Sequence, residues 1–139
     1  MATKSDFTDE EWKALEKGVT GAGMLVSVSD RDLTDAFGEA SALAKALAAR
    51  RDDASELVRE LAKTRGTGFG FTTSTQEVET ETLASLRSSR EVLAAKAPGE
   101  ESAYRDFVLG VAQTVAEAKG GVAEGETAAL AKIREALGA

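Results

Sequence analysis

The chain of 139 residues contains no cysteine and no histidine. Without cysteine it has no disulfide and no thiol nucleophile, and without histidine it lacks the commonest acid–base group near neutral pH and the Ser-His-Asp relay. The same two absences remove the usual ligands of structural zinc. Any metal bound by this chain would therefore be held by oxygen atoms, which suit Ca²⁺, Mg²⁺ or Mn²⁺.

Large side chains and long apolar runs are also scarce. Aromatic residues make up 5% of the chain against 42% hydrophobic residues overall, and the apolar residues are mostly Ala, Leu and Val. Such a composition favours close-packed helices over large pockets. No run of 18 apolar residues occurs, and the start "MATKSDFTDEEW" has no apolar signal-peptide core, so we expect no membrane insertion and a cytoplasmic location.

The formal net charge is −7. An acidic surface repels phosphate backbones, so we expect no nucleic-acid partner. The length suits a single domain, residues 1–139, which begins with a short N-terminal tail at 1–7. A chain of this size can bury roughly two thirds of its unfolded surface, enough for a core without disulfides or structural metal.

Helical signals run through the chain. Thr8 and Glu11 have the spacing of a capping box, and Phe7 and Trp12 that of a hydrophobic staple. The apolar periodicity predicts six helices, at about 8–29, 34–50, 54–65, 76–97, 100–119 and 124–137. The sequence therefore predicts an all-α fold, a compact bundle of about six helices.

Further caps and apolar faces complete the expected bundle. Asp53 and Glu56, and then Ser74 and Glu77, have the spacing of a helix cap with its N3 residue. The second helix is expected to bury one face, formed by Leu33, Phe37, Ala40, Ala44 and Leu47. The fifth has the clearest stripe, formed by Tyr104, Phe107, Val108, Val111, Ala112 and Val115, which indicates that Tyr104 belongs to the core.

The segment "GTGFGF" lies in a loop predicted at 66–75 between two helices. It lacks the lysine, the Ser/Thr and the preceding strand of a phosphate-binding loop. Two interpretations remain open for Phe69 and Phe71. They are pinned into the bundle, or they form an exposed aromatic edge that binds a protein partner, since aromatic residues anchor interfaces.

The two ends of the chain resemble each other. With a shift of 89 residues, 19–37 aligns with 108–126, so that Gly21 lies over Gly110. Glycine inside a helix costs about 1 kcal/mol relative to alanine. We therefore expect both glycines to mark a close backbone approach of the first and fifth helices.

This repeat resembles the TerB-like tellurite-resistance domain, whose two halves each carry the signature A-D-G-x-hydrophobic-small-x-x-E. "SDRDLTDAF" matches it at Asp30, Leu33 and Thr34, with Arg31 and Phe37 at the glycine and glutamate positions. "AKGGVAEGE" matches at Gly120, Val122, Ala123 and Glu126, with Lys119 at the aspartate position. The resemblance implies two pseudo-two-fold related halves, an acidic metal-binding face and an association with tellurite resistance and the stress response.

The acidic stretch around Asp30 is the candidate metal site. An EF-hand loop starting there would place Asp35 where glycine is needed and Ser41 where the bidentate glutamate belongs, so that interpretation fails. If the two halves pair, Asp30 and Asp32 come near Glu124 and Glu126, and a divalent cation would relieve their repulsion. Three alternatives stay open: a helix cap with solvated acids, a weak cation site, or catalytic carboxylates.

The sequence thus predicts a non-enzymatic, stress-associated binding module with an unidentified protein partner. A homo-oligomer is compatible with it, and so is a weak divalent-cation site. The first alternative is a structural protein–protein interaction domain that has lost metal binding. The second is a carboxylate-dependent metal hydrolase.

Overall fold

The computed structural model describes residues 4–29, 43–64, 74–118 and 124–138. All regular secondary structure in these ranges is helical, which confirms the predicted all-α fold. The helices are α1 (Asp9–Ser29), α2 (43–48), α3 (Glu56–Leu61), α4 (Thr75–Lys96), α5 (Glu101–Ala118) and α6 (Glu124–Leu137). Short 3₁₀ turns, Lys4–Asp6 and Pro98–Glu100, precede α1 and α5.

The start of α1 is fixed by the local interactions that the sequence predicts. The Thr8 amide donates to Glu11 Oε1 at 2.8 Å, and the Glu11 amide donates to Thr8 Oγ1 at 3.1 Å. The Phe7 and Trp12 rings lie 5.9 Å apart between centroids. Lys96 of α4 also donates to the Glu11 carboxylate, and this bond, followed by the Thr8 amide, lowers the pKa of Glu11.

Two further caps were predicted, and one of them is wrong. Ser74 caps α4 as expected, accepting from the Glu77 amide at 3.1 Å. The cap of α3 is Ser55 rather than Asp53, because its hydroxyl accepts from the Val58 amide at 3.3 Å. Asp53 instead accepts from the Ser55 amide at 2.9 Å and so braces the residue that caps the helix.

The core lies between α1, α4, α5 and α6, with α3 packed against α5. The predicted stripe of α5 is buried along its whole length, and Tyr104 is only 1% exposed. In α2 the prediction was partly wrong, since Ala44 is exposed while Leu43, Ala46 and Leu47 are buried. Its other expected core residues, Leu33, Phe37 and Ala40, lie outside the described ranges.

Gly21 and Gly110 both allow close contacts, but neither forms the contact between α1 and α5 that was expected of it. A Cβ at Gly21 would lie 2.3 Å from Thr82 Oγ1, so this glycine marks the approach of α1 to α4. A Cβ at Gly110 would lie 2.9 Å from Arg50 Nη2, so this one accommodates a side chain. The prediction was wrong because periodicity identifies a buried face without identifying the element that covers it.

Among the described residues, three ion pairs join helices across the surface of the bundle. Lys17 of α1 contacts Glu81 of α4 at 3.1 Å, and Lys132 of α6 contacts Glu79 of α4 at 2.6 Å. The third is the contact between Lys96 and Glu11. Within the described residues, no helix is both long and apolar enough to cross a membrane.

Candidate functional site

The residues predicted from the sequence as a cation site lie largely outside the described part of the chain. This is true of Asp30 and Asp32, whereas the backbone of Glu124 and Glu126 forms the first turn of α6 and their side chains are not described. Among the described residues, no three acidic side chains gather as a metal site would require. The divalent-cation site therefore stays a prediction.

Phe69 and Phe71 also lie outside the described ranges. Whether these two rings are pinned into the bundle or form an exposed binding edge thus stays open. The described residues instead form two concavities, neither of which the sequence motifs indicate.

The larger concavity is a groove of about 510 Å³ between α2 and α5, which we call the α2–α5 groove. Its α2 side consists of Lys45 and Ala46, continued by Ala49 and Arg50 in the turn that follows the helix. Ala46 is buried and Ala49 is exposed, so this side of the groove extends from the core to the surface. The two cationic residues lie on this same side.

The α5 side of the groove combines backbone, apolar and polar groups. Its lining is Gly110, Val111, Gln113 and Thr114. Val111 belongs to the buried core, while the Thr114 hydroxyl donates to the Gly110 carbonyl at 2.8 Å. Gly110 has no side chain and the Val111 side chain is buried, so neither residue projects a side chain into the groove.

Arg50 connects the groove to the start of α3. Its Nη1 donates to Asp53 Oδ2 at 3.1 Å, while Nη2 lies over Gly110. Asp53 also accepts from the Ser55 amide, and this bond, followed by the Arg50 side chain, holds the pKa of Asp53 below its ordinary value despite an opposing effect of burial. The guanidinium is therefore oriented by a carboxylate that remains ionised at neutral pH.

The smaller concavity, of about 140 Å³, lies where α4, the start of α5 and the end of α6 meet. We call it the arginine pocket. It is lined by Arg90, Leu93, Glu101, Tyr104, Arg105, Leu137 and Gly138. Its walls carry three charged side chains and its floor is apolar.

Tyr104, on the floor of this pocket, is held in place by the hydrogen bonds of its hydroxyl group. Its hydroxyl donates to the Leu15 carbonyl of α1 at 2.7 Å and lies 3.3 Å from Ser89 Oγ, which itself donates to the Ser85 carbonyl at 2.7 Å. Burial raises the pKa of the tyrosine hydroxyl far above its ordinary value, and the Ser89 contact opposes this only in part. Tyr104 is thus a neutral, structural group at physiological pH, as its position in the stripe predicts.

Sequence reasoning missed both concavities, although one signal was present. Gly110, inside an otherwise apolar helix, indicated that something approaches α5, and the group that does so is the Arg50 guanidinium. Arg90 and Arg105 carry no comparable signal, because isolated arginines on exposed helix faces are common.

Comparison with known proteins gives no assignment. No family model, no curated protein and no solved structure matches the chain. The resemblance to the TerB-like domain therefore rests on the degenerate signature alone and stays a prediction.

Proposed function

We propose that the protein is a non-enzymatic binding module that seats an acidic, amphipathic helix of a protein partner in the α2–α5 groove. The observation that carries this proposal is the form of the groove: small residues line its floor, and Lys45 and Arg50 stand along one side. Helix-in-groove recognition uses such surfaces, with the apolar face of the partner helix on the floor.

The floor sets how closely a partner can approach. Ala46 and Ala49 are small, whereas Gly110 is covered by the Arg50 guanidinium. A partner helix can therefore pack closely against the α2 side of the groove and meets the Arg50 side chain above α5. Gln113 and Thr114 supply hydrogen-bonding groups at the edge of this contact.

The charge of the groove selects the partner. The chain as a whole carries a net charge of −7 and repels acidic proteins at long range, yet this groove presents two cationic side chains. An acidic helix is attracted at this location and disfavoured elsewhere, an arrangement that gives specificity more than affinity. Arg50 is held in place for this role by Asp53.

The other functions predicted from the sequence find no further support. A metal hydrolase needs a cleft that gathers at least three carboxylates, and the described ranges contain no such group. The four candidate carboxylates lie outside what the structure describes. The hydrolase, like the stress association and the homo-oligomer, stays a prediction.

A capture experiment with three matched baits tests the proposal. The full chain, Ala49→Glu and Ala131→Glu are used to capture partners from cells, because both alanines are exposed but only Ala49 lines the groove. We expect the full chain and Ala131→Glu to retain the same partner and Ala49→Glu to lose it. The purified partner segment should bind more weakly at high salt and to the Lys45→Glu variant. Its binding should also shift the amide resonances of Gln113 and Thr114.

Two outcomes would contradict the proposal. One is a captured set that does not differ between Ala49→Glu and Ala131→Glu. The other is a partner segment that binds with its largest resonance shifts away from the groove, or one that carries a basic rather than an acidic face.

A further inference from the structure

The arginine pocket is lined by two arginine residues from neighbouring helices. Arg90 comes from α4 and Arg105 from α5, and both line the same cavity of about 140 Å³. Within the described part of the chain neither of them forms an ion pair or a hydrogen bond, in contrast to Arg50 and Arg59. Two cationic side chains that line one small cavity attract an anion to it.

The position of the Arg90 guanidinium is set by the end of α6. Gly138 has φ of 74°, a left-handed conformation that glycine adopts at no steric cost. A Cβ on Gly138 would lie 2.6 Å from Arg90 Cζ and 2.9 Å from both Nε and Nη2. The guanidinium therefore lies against the glycine backbone, and this packing restrains it at the wall of the pocket.

The floor of the pocket strengthens the electrostatic interactions above it. Leu93 and Leu137 are buried, and the Tyr104 ring is held in place by its bond to the Leu15 carbonyl. Charge–charge interactions are stronger beside such apolar groups than in bulk water. An oxyanion seated here would gain more from two guanidiniums than it would on an open surface.

We propose that the arginine pocket binds a small oxyanion, a phosphate or a compact carboxylate, between Arg90 and Arg105. Guanidinium groups match the planar and tetrahedral oxygens of such anions through paired N–H donors. A cavity of this size suits one such group.

Removal of Glu101 is predicted to have the opposite effect on anion binding to removal of either arginine. Its carboxylate lines the same pocket, yet it pairs with neither guanidinium in the described residues. An anion in the pocket would be repelled by this charge. Removal of Glu101 should therefore tighten binding, while removal of either arginine should weaken it.

Calorimetric titration of the full chain with inorganic phosphate, and separately with succinate, at constant ionic strength tests the site. We expect Arg90→Gln and Arg105→Gln each to weaken binding by roughly tenfold or more, the loss of one charge-assisted pair of hydrogen bonds. Glu101→Gln should strengthen binding severalfold. Arg87→Gln is the matched control, since Arg87 lies on α4, is exposed and does not line the pocket.

The two titrants separate phosphate from carboxylate as the preferred ligand. Circular dichroism of each variant tests whether the bundle is intact, so that lost binding can be distinguished from lost folding. The proposal fails if the full chain binds neither titrant at millimolar concentration. It also fails if Arg87→Gln weakens binding as much as Arg90→Gln, or if Glu101→Gln weakens it.

Discussion

The contact between Gly18 and Tyr104 predicts that two substitutions will be strongly coupled. Gly18 is buried in α1, and a Cβ there would lie 2.4 Å from the Tyr104 hydroxyl oxygen and 3.0 Å from Leu86 Cδ2. The tyrosine has no room to withdraw, because its ring is 1% exposed and its hydroxyl is bound to the Leu15 carbonyl at 2.7 Å. Gly18→Ala therefore introduces a methyl group into occupied space.

The magnitudes follow from three terms. Alanine in a helix interior is favoured over glycine by about 1 kcal/mol. Overpacking a well-filled core costs about 1–3 kcal/mol, so we expect Gly18→Ala to lower the free energy of unfolding by up to about 2 kcal/mol. Tyr104→Phe removes one hydrogen bond and should cost about 1 kcal/mol, since the Leu15 carbonyl also lies within the hydrogen-bonded helix α1.

In the double variant the clash with the hydroxyl is gone. The next Tyr104 atom, Cζ, lies 3.6 Å from the added Cβ, an ordinary contact. Only the contact with Leu86 Cδ2 at 3.0 Å stays tight, so Gly18→Ala should be much less destabilising in the Tyr104→Phe background. The interaction free energy of the pair should be about 2 kcal/mol, within the range for contacting residues.

Urea denaturation of the four proteins, followed by circular dichroism, measures this cycle. The m-value should stay constant, so that changes in midpoint report stability alone. If Gly18→Ala lowers stability equally in both backgrounds, the hydroxyl is not the group that excludes a side chain at position 18.

Three further predictions concern Thr82, Asp53 and the cation site predicted from the sequence. Thr82 is fully buried, and its hydroxyl has no hydrogen-bond partner in the described structure. Thr82→Val should therefore raise the free energy of unfolding by about 1 kcal/mol. A decrease of that size, measured by urea denaturation, would contradict this. The pKa of Asp53 is lowered on folding, so its contribution to stability is present above pH 3.8, its unfolded value, and disappears as the pH falls through the lower folded value. Asp53→Asn should therefore destabilise the protein at pH 7 and progressively less below pH 3.8, which acid-titrated denaturation curves will show. Calorimetry with Ca²⁺, Mg²⁺ and Mn²⁺ decides between the alternatives for the sequence-predicted cation site. Heat that Asp30→Ala and Glu126→Ala both abolish would support one shared site, whereas flat titrations would leave Asp30 and its neighbours as a cap and solvated charge.

Local signals in the sequence predicted the helices well. The capping pair Thr8 and Glu11 and the cap Ser74 act within one turn, so their spacing is sufficient to place the start of α1 and α4. Periodic apolar residues likewise predicted the buried stripe of α5. The cap of α3 was misplaced by two residues because Asp53 and Ser55 are both good capping residues, and the choice between them depends on distant partners.

Those partners belong to the tertiary structure. The Ser55 hydroxyl donates to Glu100 Oε2 at 2.7 Å, 45 residues away. Glu100 lies in the 3₁₀ turn before α5, which packs against α3. No pattern within a few turns of Ser55 indicates such a contact.

By itself, the amino-acid sequence determined that the chain is helical, where most helices begin and which of their faces are apolar. The reason is that capping and amphipathicity act between residues a few positions apart. Only the tertiary structure decided that Gly21 faces α4, that Arg50 covers Gly110, and that Arg90 and Arg105 line one pocket. These contacts depend on how whole helices pack, and many sequences with the same local pattern would pack their exposed and small residues differently.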